Sequence, residues 1–443
     1  MSLQIWLPLK NGELINKGLY KITPGMVGTL SSGNGKIANT TYYWNADGQA
    51  ISLPNFMDTF SLYTNYSICA WVYFTGGATN HSSTICSSGD WNNKMKQLVF
   101  ALNTYNNGYT KLLVPNKDGW DKGVTIPTLA PNTWNHICVT YDGTNSYVYI
   151  NNSYIGAYTG GGITSEFDNS NLYIGCATYY NGFTIKGSIN DFRIYDHCLS
   201  KKEISEISKG LVLHYPLRDT YVNTISTISD SSGLGNVGTI IGTLTTSTDS
   251  KRNAVSTVFS GAQAIQCGRG AMIKDAITIS WWGYMDNWSN YGRAISCTEG
   301  GGWNFEPGDG KMRFRLGTGT SSNTYILALG NTALSSLSSG WHMFTGTYDG
   351  YSLKIYVDGV LENTTSAYTT KTPIYYHASN SVFIGAEAGA SATTPADPYF
   401  SGRLSDIRIY ATALSAEDIK ALYNTPIKLD NKNNLFAMNF KEG

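Results

Sequence analysis

Charge is scarce in this 443-residue chain. Asp, Glu, Lys and Arg make up 14% of it, and 31 bases balance 31 acids to a formal net charge of zero. Nucleic-acid binding draws on clustered cations that release counterions from phosphate, and anionic membrane surfaces need the same. The richest basic stretch here is Lys201-Lys202, so neither partner is expected. Long apolar runs are missing too. No segment approaches the ~18–20 residues that cross a bilayer, and membrane insertion is not expected. The seven cysteines (Cys69, Cys86, Cys138, Cys176, Cys198, Cys267, Cys297) are odd in number and contain no Cys-x-x-Cys. That pattern speaks against a zinc ribbon and a complete disulfide framework, and reduced thiols in apolar strands are expected. There is no Gly-x-Ser-x-Gly, no His-Glu-x-x-His and no Walker loop, and the six histidines lack metal-ligand spacing, so no cofactor is expected. The N-terminus, Met1 to Leu9, has neither a basic n-region nor an apolar h-region; it reads as a strand, with no secretory leader expected.

What the chain does have is aromatic rings and turns: 31 Tyr, 11 Trp and 15 Phe make 13% of it, with 47 Gly against 12 Pro. It also repeats. Trp134-Asn-His-Ile-Cys-Val-Thr-Tyr-Asp-Gly143 aligns without gaps to Trp341-His-Met-Phe-Thr-Gly-Thr-Tyr-Asp-Gly350, and Gly187-Ser-Ile-Asn-Asp-Phe-Arg-Ile-Tyr-Asp196 to Gly402-Arg-Leu-Ser-Asp-Ile-Arg-Ile-Tyr-Ala411. Upstream, Ser67 to Tyr73 answers to Thr278 to Tyr284, and Trp6-Leu-Pro-Leu9 to His214-Tyr-Pro-Leu217. Four blocks in one order mean two copies of a domain. The copies are placed at 1–208 and 209–426. Each ends in a short helix: Ser200 with Glu203 forms a capping box and Gly210 a C-terminal cap, and Ser415 with Asp418 repeats the device. A tail, 427–443, alternates apolar residues and suits an added strand or an interface. Between the helices, short β-branched and aromatic runs such as Tyr147–Ile150, Leu172–Ile174 and Lys354–Val357 predict strands, and Val357-Asp-Gly-Val360 predicts a two-residue hairpin. The expected fold class is all-β, two antiparallel sandwiches.

The order Trp-Leu-Pro-Leu, Ile-x-x-Trp-Val, Trp-x5-Thr-Tyr-Asp-Gly, Leu-Tyr-Ile-Gly and Gly-x-Ile-x-Asp-Phe-Arg-Ile-Tyr-Asp resembles the laminin-G-like, concanavalin A-like jelly-roll family, over both halves. The tandem arrangement further resembles bacteriophage virion proteins. The resemblance implies a two-sheet jelly roll whose first strand pairs with the Asp-Phe-Arg-Ile-Tyr strand, and a role in glycan or protein binding.

Jelly rolls include both lectins and glycanases, so residues must decide. A retaining glucanase needs carboxylates ~5–5.5 Å apart, as a strand bearing Glu-x-Asp-x-x-Glu supplies, and no such run exists. The chain therefore reads as a non-enzymatic virion protein, decorating a capsid or tail, whose lectin-like domains engage host-surface glycan. A purely structural decoration protein is the alternative, and a glycan hydrolase a third. The expected partners are other virion proteins and a host glycan, with an oligomeric state in the particle.

Asp191-Phe-Arg193 and Asp406-Ile-Arg408 are read as structural ion pairs, and Trp71, Trp134, Trp282 and Trp341, matched between copies, as core. Ligand candidates are sought in segments that differ between copies: Trp91, Trp120, Tyr179 and Tyr180 in the first, Trp288, Trp303, Tyr375 and Tyr376 in the second. Rings beside Asn and Asp acceptors suit the C–H faces and hydroxyls of sugars. Asp118 with Asp121, or Glu306 with Asp309, could supply calcium with oxygen ligands.

Overall fold

The computed structural model describes residues 2–75, 83–88, 98–103, 111–115, 122–163, 170–177, 183–217, 226–251, 255–298, 300–318, 324–389 and 393–424. The chain divides into two compact units, Met1–Ser208 and Lys209–Gly443. Each is a two-sheet antiparallel sandwich closed by a short helix, the fold class that the sequence implies.

In the first unit one sheet runs in the order Ser153–Thr159, Asn145–Ile150, Trp134–Tyr141, Tyr66–Phe74, Gly187–Tyr195, Thr40–Trp44 and Ser31–Asn34. Opposite it lies a sheet built on Leu98–Asn103, Ser83–Ser88, Leu172–Ile174 and Ala50–Leu53. Strand period two decides what fills the gap. On the central strand Ile68, Ala70, Val72 and Phe74 turn inward to meet Ile51, Phe100, Leu102 and Ile174, all fully buried. Burying each of the larger side chains stabilises by roughly 1.5–3 kcal/mol.

The second unit repeats the plan, with Ile277–Met285 between Gly340–Tyr348 and Ser401–Tyr410. Here Trp281 holds the inter-sheet core, stacked on Phe344 at 4.8 Å. The Asp358-Gly359 turn takes φ of +50° and +79°, the geometry of a tight hairpin, joining Val357 to Val360.

The first strand of each unit, Leu3–Leu7 or Leu211–Tyr215, pairs with the last, as the family resemblance implies. One device fixes both junctions. The last strand bulges at Asp191 and Asp406, which sit at φ +54° and +49° and whose amides reach back to the carbonyls of Pro8 and Pro216. Asp191 Oδ1 then accepts from Trp6 Nε1 at 2.7 Å and Arg193 Nε at 2.9 Å. Asp406 Oδ1 meets His214 Nε2 at 2.9 Å and accepts from Arg408 Nε at 2.7 Å. Burial alone would raise the Asp406 pKa; the Arg408 guanidinium, with His214, more than reverses that and holds it far below the carboxylate range. These pairs join strands, which is their structural role.

Each C-terminal helix covers the outer face of the first sheet. The Ser200–Glu203 capping box is formed, with Ser200 N donating to Glu203 Oε2 at 2.8 Å and Glu203 N to Ser200 Oγ at 3.3 Å. Leu199 and Ile204 pack on Cys69, Cys138 and Tyr195. In the second unit Leu414, Ile419 and Tyr423 cover Trp282, Met343, Tyr356 and Tyr410, and Tyr423 stacks on Trp282 at 5.3 Å. Trp282 is therefore buried as expected, but beneath the helix and not between the sheets.

Candidate functional site

Trp91, Trp120, Tyr179 and Tyr180, the pair Asp118 and Asp121, and the tail lie outside the described residues. The candidates in the second unit are placed as follows. Trp288, in the short helical turn Trp288–Asn290, is 1% exposed and packs on Phe344 at 5.1 Å, while Trp303 is 0% exposed on Trp303–Gly308. A ring with no free face cannot stack a sugar, so both are core and not platforms. Their sequence neighbours looked like loop because glycines precede Trp303 and Asn precedes Trp288; the Gly300–Gly302 run instead turns the chain into a strand with left-handed φ at all three glycines. Tyr376 turns its hydroxyl inward to the Ile273 carbonyl at 2.9 Å, and burial pushes its pKa well up. Tyr375 is half-buried, its amide and carbonyl bonded to Gly317 and Gly302.

Glu306 is 4% exposed, on the strand directly opposite Arg313. Arg293, Arg313 and Arg315 approach its carboxylate at 3.0, 2.5 and 3.6 Å. Asp309 is an exposed turn residue at φ +51°. A carboxylate already enclosed by guanidinium groups does not fit calcium, whose charge they would oppose. Among the described residues no group of three or more His, Cys, Asp or Glu is placed to hold a metal.

The structure exposes a different aromatic site. Alternation along Ile277–Met285 sends Trp281 inward and Trp282 and Tyr284 outward. Register then lines up a row across the outer face: Trp341 opposite Tyr284, Tyr284 opposite Arg403, Arg403 opposite Val258. The row is tied together. The Arg403 guanidinium lies 3.6 Å over the Tyr284 ring, whose edge meets Trp341 at 5.9 Å. Asp249 accepts from Trp341 Nε1 at 3.1 Å and pairs with Arg403 at 2.8 Å. Arg403 Nε is buried without a hydrogen-bond partner.

Beside this row opens a depression of about 320 Å³, lined by Tyr284, Arg403, Asp286, Ser260 and Ser401 among others. That volume stands at the lower end of small-ligand sites, the size of one or two sugar rings. It offers a planar cation that donates in plane, an exposed carboxylate and two hydroxyls that accept or donate, the groups by which sugar hydroxyls are held.

The first unit has the same row in a different key. Trp134 lies opposite Tyr73, Tyr73 opposite Ser188 and Ser188 opposite Tyr43, with the Tyr73 and Trp134 rings 5.5 Å apart. The matched glycines explain how the last strand comes so close: a Cβ at Gly187 or Gly402 would collide with the carbonyl oxygen of Tyr73 or Tyr284. Sequence comparison of the two copies assigned the matched tryptophans to the core; Trp341 is instead half-buried on the outer face, in this row, and Tyr73, Tyr284 and Arg403 were missed. The signal was present in the alternation, which puts Tyr284 on the face opposite Trp281.

Residues 45–205 and 259–420 each match the Concanavalin A-like lectin/glucanases superfamily. The chain belongs to that superfamily. No curated protein matches the sequence. Among solved structures, domain 4 of an extracellular arabinanase from Geobacillus stearothermophilus, in complex with arabinotriose, is 21% identical over 48% of this chain and 98% of its own, with a TM-score of 0.37. Domains LG4-5 of the mouse laminin alpha1 chain are 15% identical over 92% and 96%, at 0.28. The receptor-binding domain of a botulinum neurotoxin C/D mosaic is 12% identical over 92% of each chain, at 0.37. Both copies of the superfamily member described here thus carry the lectin-like jelly-roll fold, with an aromatic row on the outer face of the first sheet.

Proposed function

We propose that this superfamily member is a non-enzymatic glycan-binding protein and that its second unit holds sugar in the depression beside Tyr284 and Arg403. The observation that carries the reading is the Trp341–Tyr284–Arg403 row flanked by Asp286, Ser260 and Ser401. A guanidinium held over an aromatic ring is preorganised, so less rotamer entropy is lost when it donates to a ligand. The arabinanase domain solved with arabinotriose is in keeping with saccharide as the ligand class.

A glycan array, probed with the whole chain and with Arg403→Ala, tests this. Binding that falls at least tenfold in the variant is the expected result; an array without a bound glycan, or one that Arg403→Ala leaves unchanged, overturns it. The non-enzymatic part predicts no release of reducing ends from a bound polysaccharide. The tandem arrangement, in its resemblance to bacteriophage virion proteins, motivates a particle-borne role, as a decoration or tail-associated protein contacting other virion subunits and host glycan. Mass spectrometry of purified particles and its absence from them would refute that role.

A further inference from the structure

The outer face of the opposite sheet in the second unit carries a second set of charges that the depression does not use. Along Trp303–Gly308 and Lys311–Gly317, Trp303, Phe305, Phe314 and Leu316 face inward and are fully buried, with Phe305 stacked on Phe314 at 4.8 Å. Alternation therefore places Asn304, Glu306, Arg313 and Arg315 together on the outer face, where Glu306 is opposite Arg313 and Asn304 opposite Arg315. Arg293 joins them, contacting Glu306 at 3.0 Å and Glu387 at 3.3 Å.

Three features separate this cluster from an ordinary strand-pinning ion pair. Among the described residues the cations exceed the anions, three arginines against Glu306 and Glu387, and Arg313 and Arg315 remain about a third exposed at 33% and 30%. The pairing is incomplete: among the described residues the buried atoms Arg313 Nε, Arg315 Nε and Asn304 Oδ1 have no hydrogen-bond partner. Finally, the fold does not need the charges. On the corresponding strands of the first unit, Leu98–Asn103 and Lys111–Leu113, the face away from the core carries Val99, Ala101 and Leu113. Arg315 also lies over the Tyr325 ring at 4.0 Å, a ring-backed guanidinium like that of Arg403.

We propose that this face is a second binding site, specific for saccharide bearing an oxyanion, a carboxylate or a sulfate, which Arg313 and Arg315 receive as a pair of forks. Planar guanidinium groups bind such oxyanions bidentately, and the excess positive charge makes the site selective against neutral sugar. The site is independent of the depression at Arg403, so either can fail alone.

The test is isothermal titration of the whole chain with three probes: a galacturonate oligomer, a heparin-derived sulfated oligosaccharide and a neutral galactose oligomer of equal length. Saturable binding of a carboxylated or sulfated probe is expected, and which of the two binds identifies the anion. That affinity should fall at least tenfold in Arg315→Gln, weaken with added salt, and be unchanged in Arg403→Ala. Arg315→Gln leaves Glu306 its two nearer partners, Arg313 and Arg293. Arg315→Lys, which keeps the charge and loses the fork, should fall between wild type and Arg315→Gln. No saturable binding of either anionic probe overturns the proposal, as does equal binding by wild type and a folded Arg315→Gln, or equal affinity for the neutral oligomer.

Discussion

His136 gives the first unit a built-in sensitivity to acid whose size can be worked out. It lies on the outer face of Trp134–Tyr141, opposite Trp71 across the strand pair, 1% exposed, with neither ring nitrogen hydrogen-bonded among the described residues. Its nearest ring is Trp71 at 5.2 Å. Burial disfavours the charged imidazolium and pulls the pKa from 6.5 down to about 4; Asp191 opposes this and Arg193 adds to it. A lowered pKa means that the unfolded chain takes up a proton below about 6.5 while the folded chain refuses it until about 4. Stability is thus undiminished at pH 7 and is lost as pH falls across that window. The pKa drop corresponds to about 3 kcal/mol at pH 4, from ~1.4 kcal/mol per unit. The second unit suggests the perturbation, because Met343 stands at the matching place, opposite Trp282, fully buried. His136→Met should fill the same space without a titrating group. Urea unfolding at pH 7, 6, 5 and 4.5, followed by pulse proteolysis with cleavages assigned before or after residue 208, reads the first unit separately. Carboxylates titrate in both proteins and cancel in the difference. The variant should match or exceed wild type at pH 7, since it removes unsatisfied polar atoms, and hold an advantage that grows by roughly 2 kcal/mol by pH 4.5. Parallel pH–stability curves for the two proteins would refute the reasoning.

Further expectations concern the joints of the fold. Asp406→Asn strips the buried charge that pairs with partly buried Arg408 and should cost the second unit about 3 kcal/mol, or ~6–12 °C in its calorimetric transition; a shift below ~2 °C contradicts it. Because the folded pKa of Asp406 is depressed, its contribution is present above the unfolded value near 3.8 and is lost as pH falls through the lower folded value. Ile419→Ala, in the helix over Trp282, removes a fully buried side chain and should cost about 3 kcal/mol in urea unfolding of the second unit. Six of the seven cysteines are buried and only Cys198 is partly exposed. A thiol reagent should therefore modify at most one cysteine in the folded protein and all seven in guanidinium without reductant; fewer than seven would reveal disulfides.

Much of the scaffold could be read before any coordinates. Five matched residues in Trp134–Gly143, the capping residues Ser200 and Glu203, and Asp358-Gly359 each carry a local physical instruction, and each forms the element it encodes. The pairing of the first strand with the last was not legible from spacing, since residues such as Trp6 and Asp191 that it joins lie 185 apart; it came only through likeness to the family. The candidate site was read less well. Trp288 and Trp303 differ between copies and looked free to bind, yet each fills a core whose shape differs between copies too: Trp281 takes the inward position that Ala70 holds in the first unit, and surrounding rings follow it. Divergence between copies marks a repacked core as readily as a ligand loop.

Alternation supplies the better rule. A strand residue facing the core is coupled to five or more neighbours by packing, so one change demands others. Its neighbour along the chain faces outward and can change alone, without shifting register or side-chain direction. Function can therefore diverge on outer faces while the fold stays fixed, and the two units differ in that way: Ser188 becomes Arg403 beside a conserved Tyr–Trp pair, and Val99, Ala101 and Leu113 give way to a charged face. Lys311-Met-Arg-Phe-Arg-Leu316 shows both halves of the rule in six residues, with Met312, Phe314 and Leu316 buried and Lys311, Arg313 and Arg315 outward. Read by strand period instead of by loop position, the aromatic row and the arginine face are both visible in the sequence, and both lie on sheets rigid enough to hold a ligand-binding geometry in place.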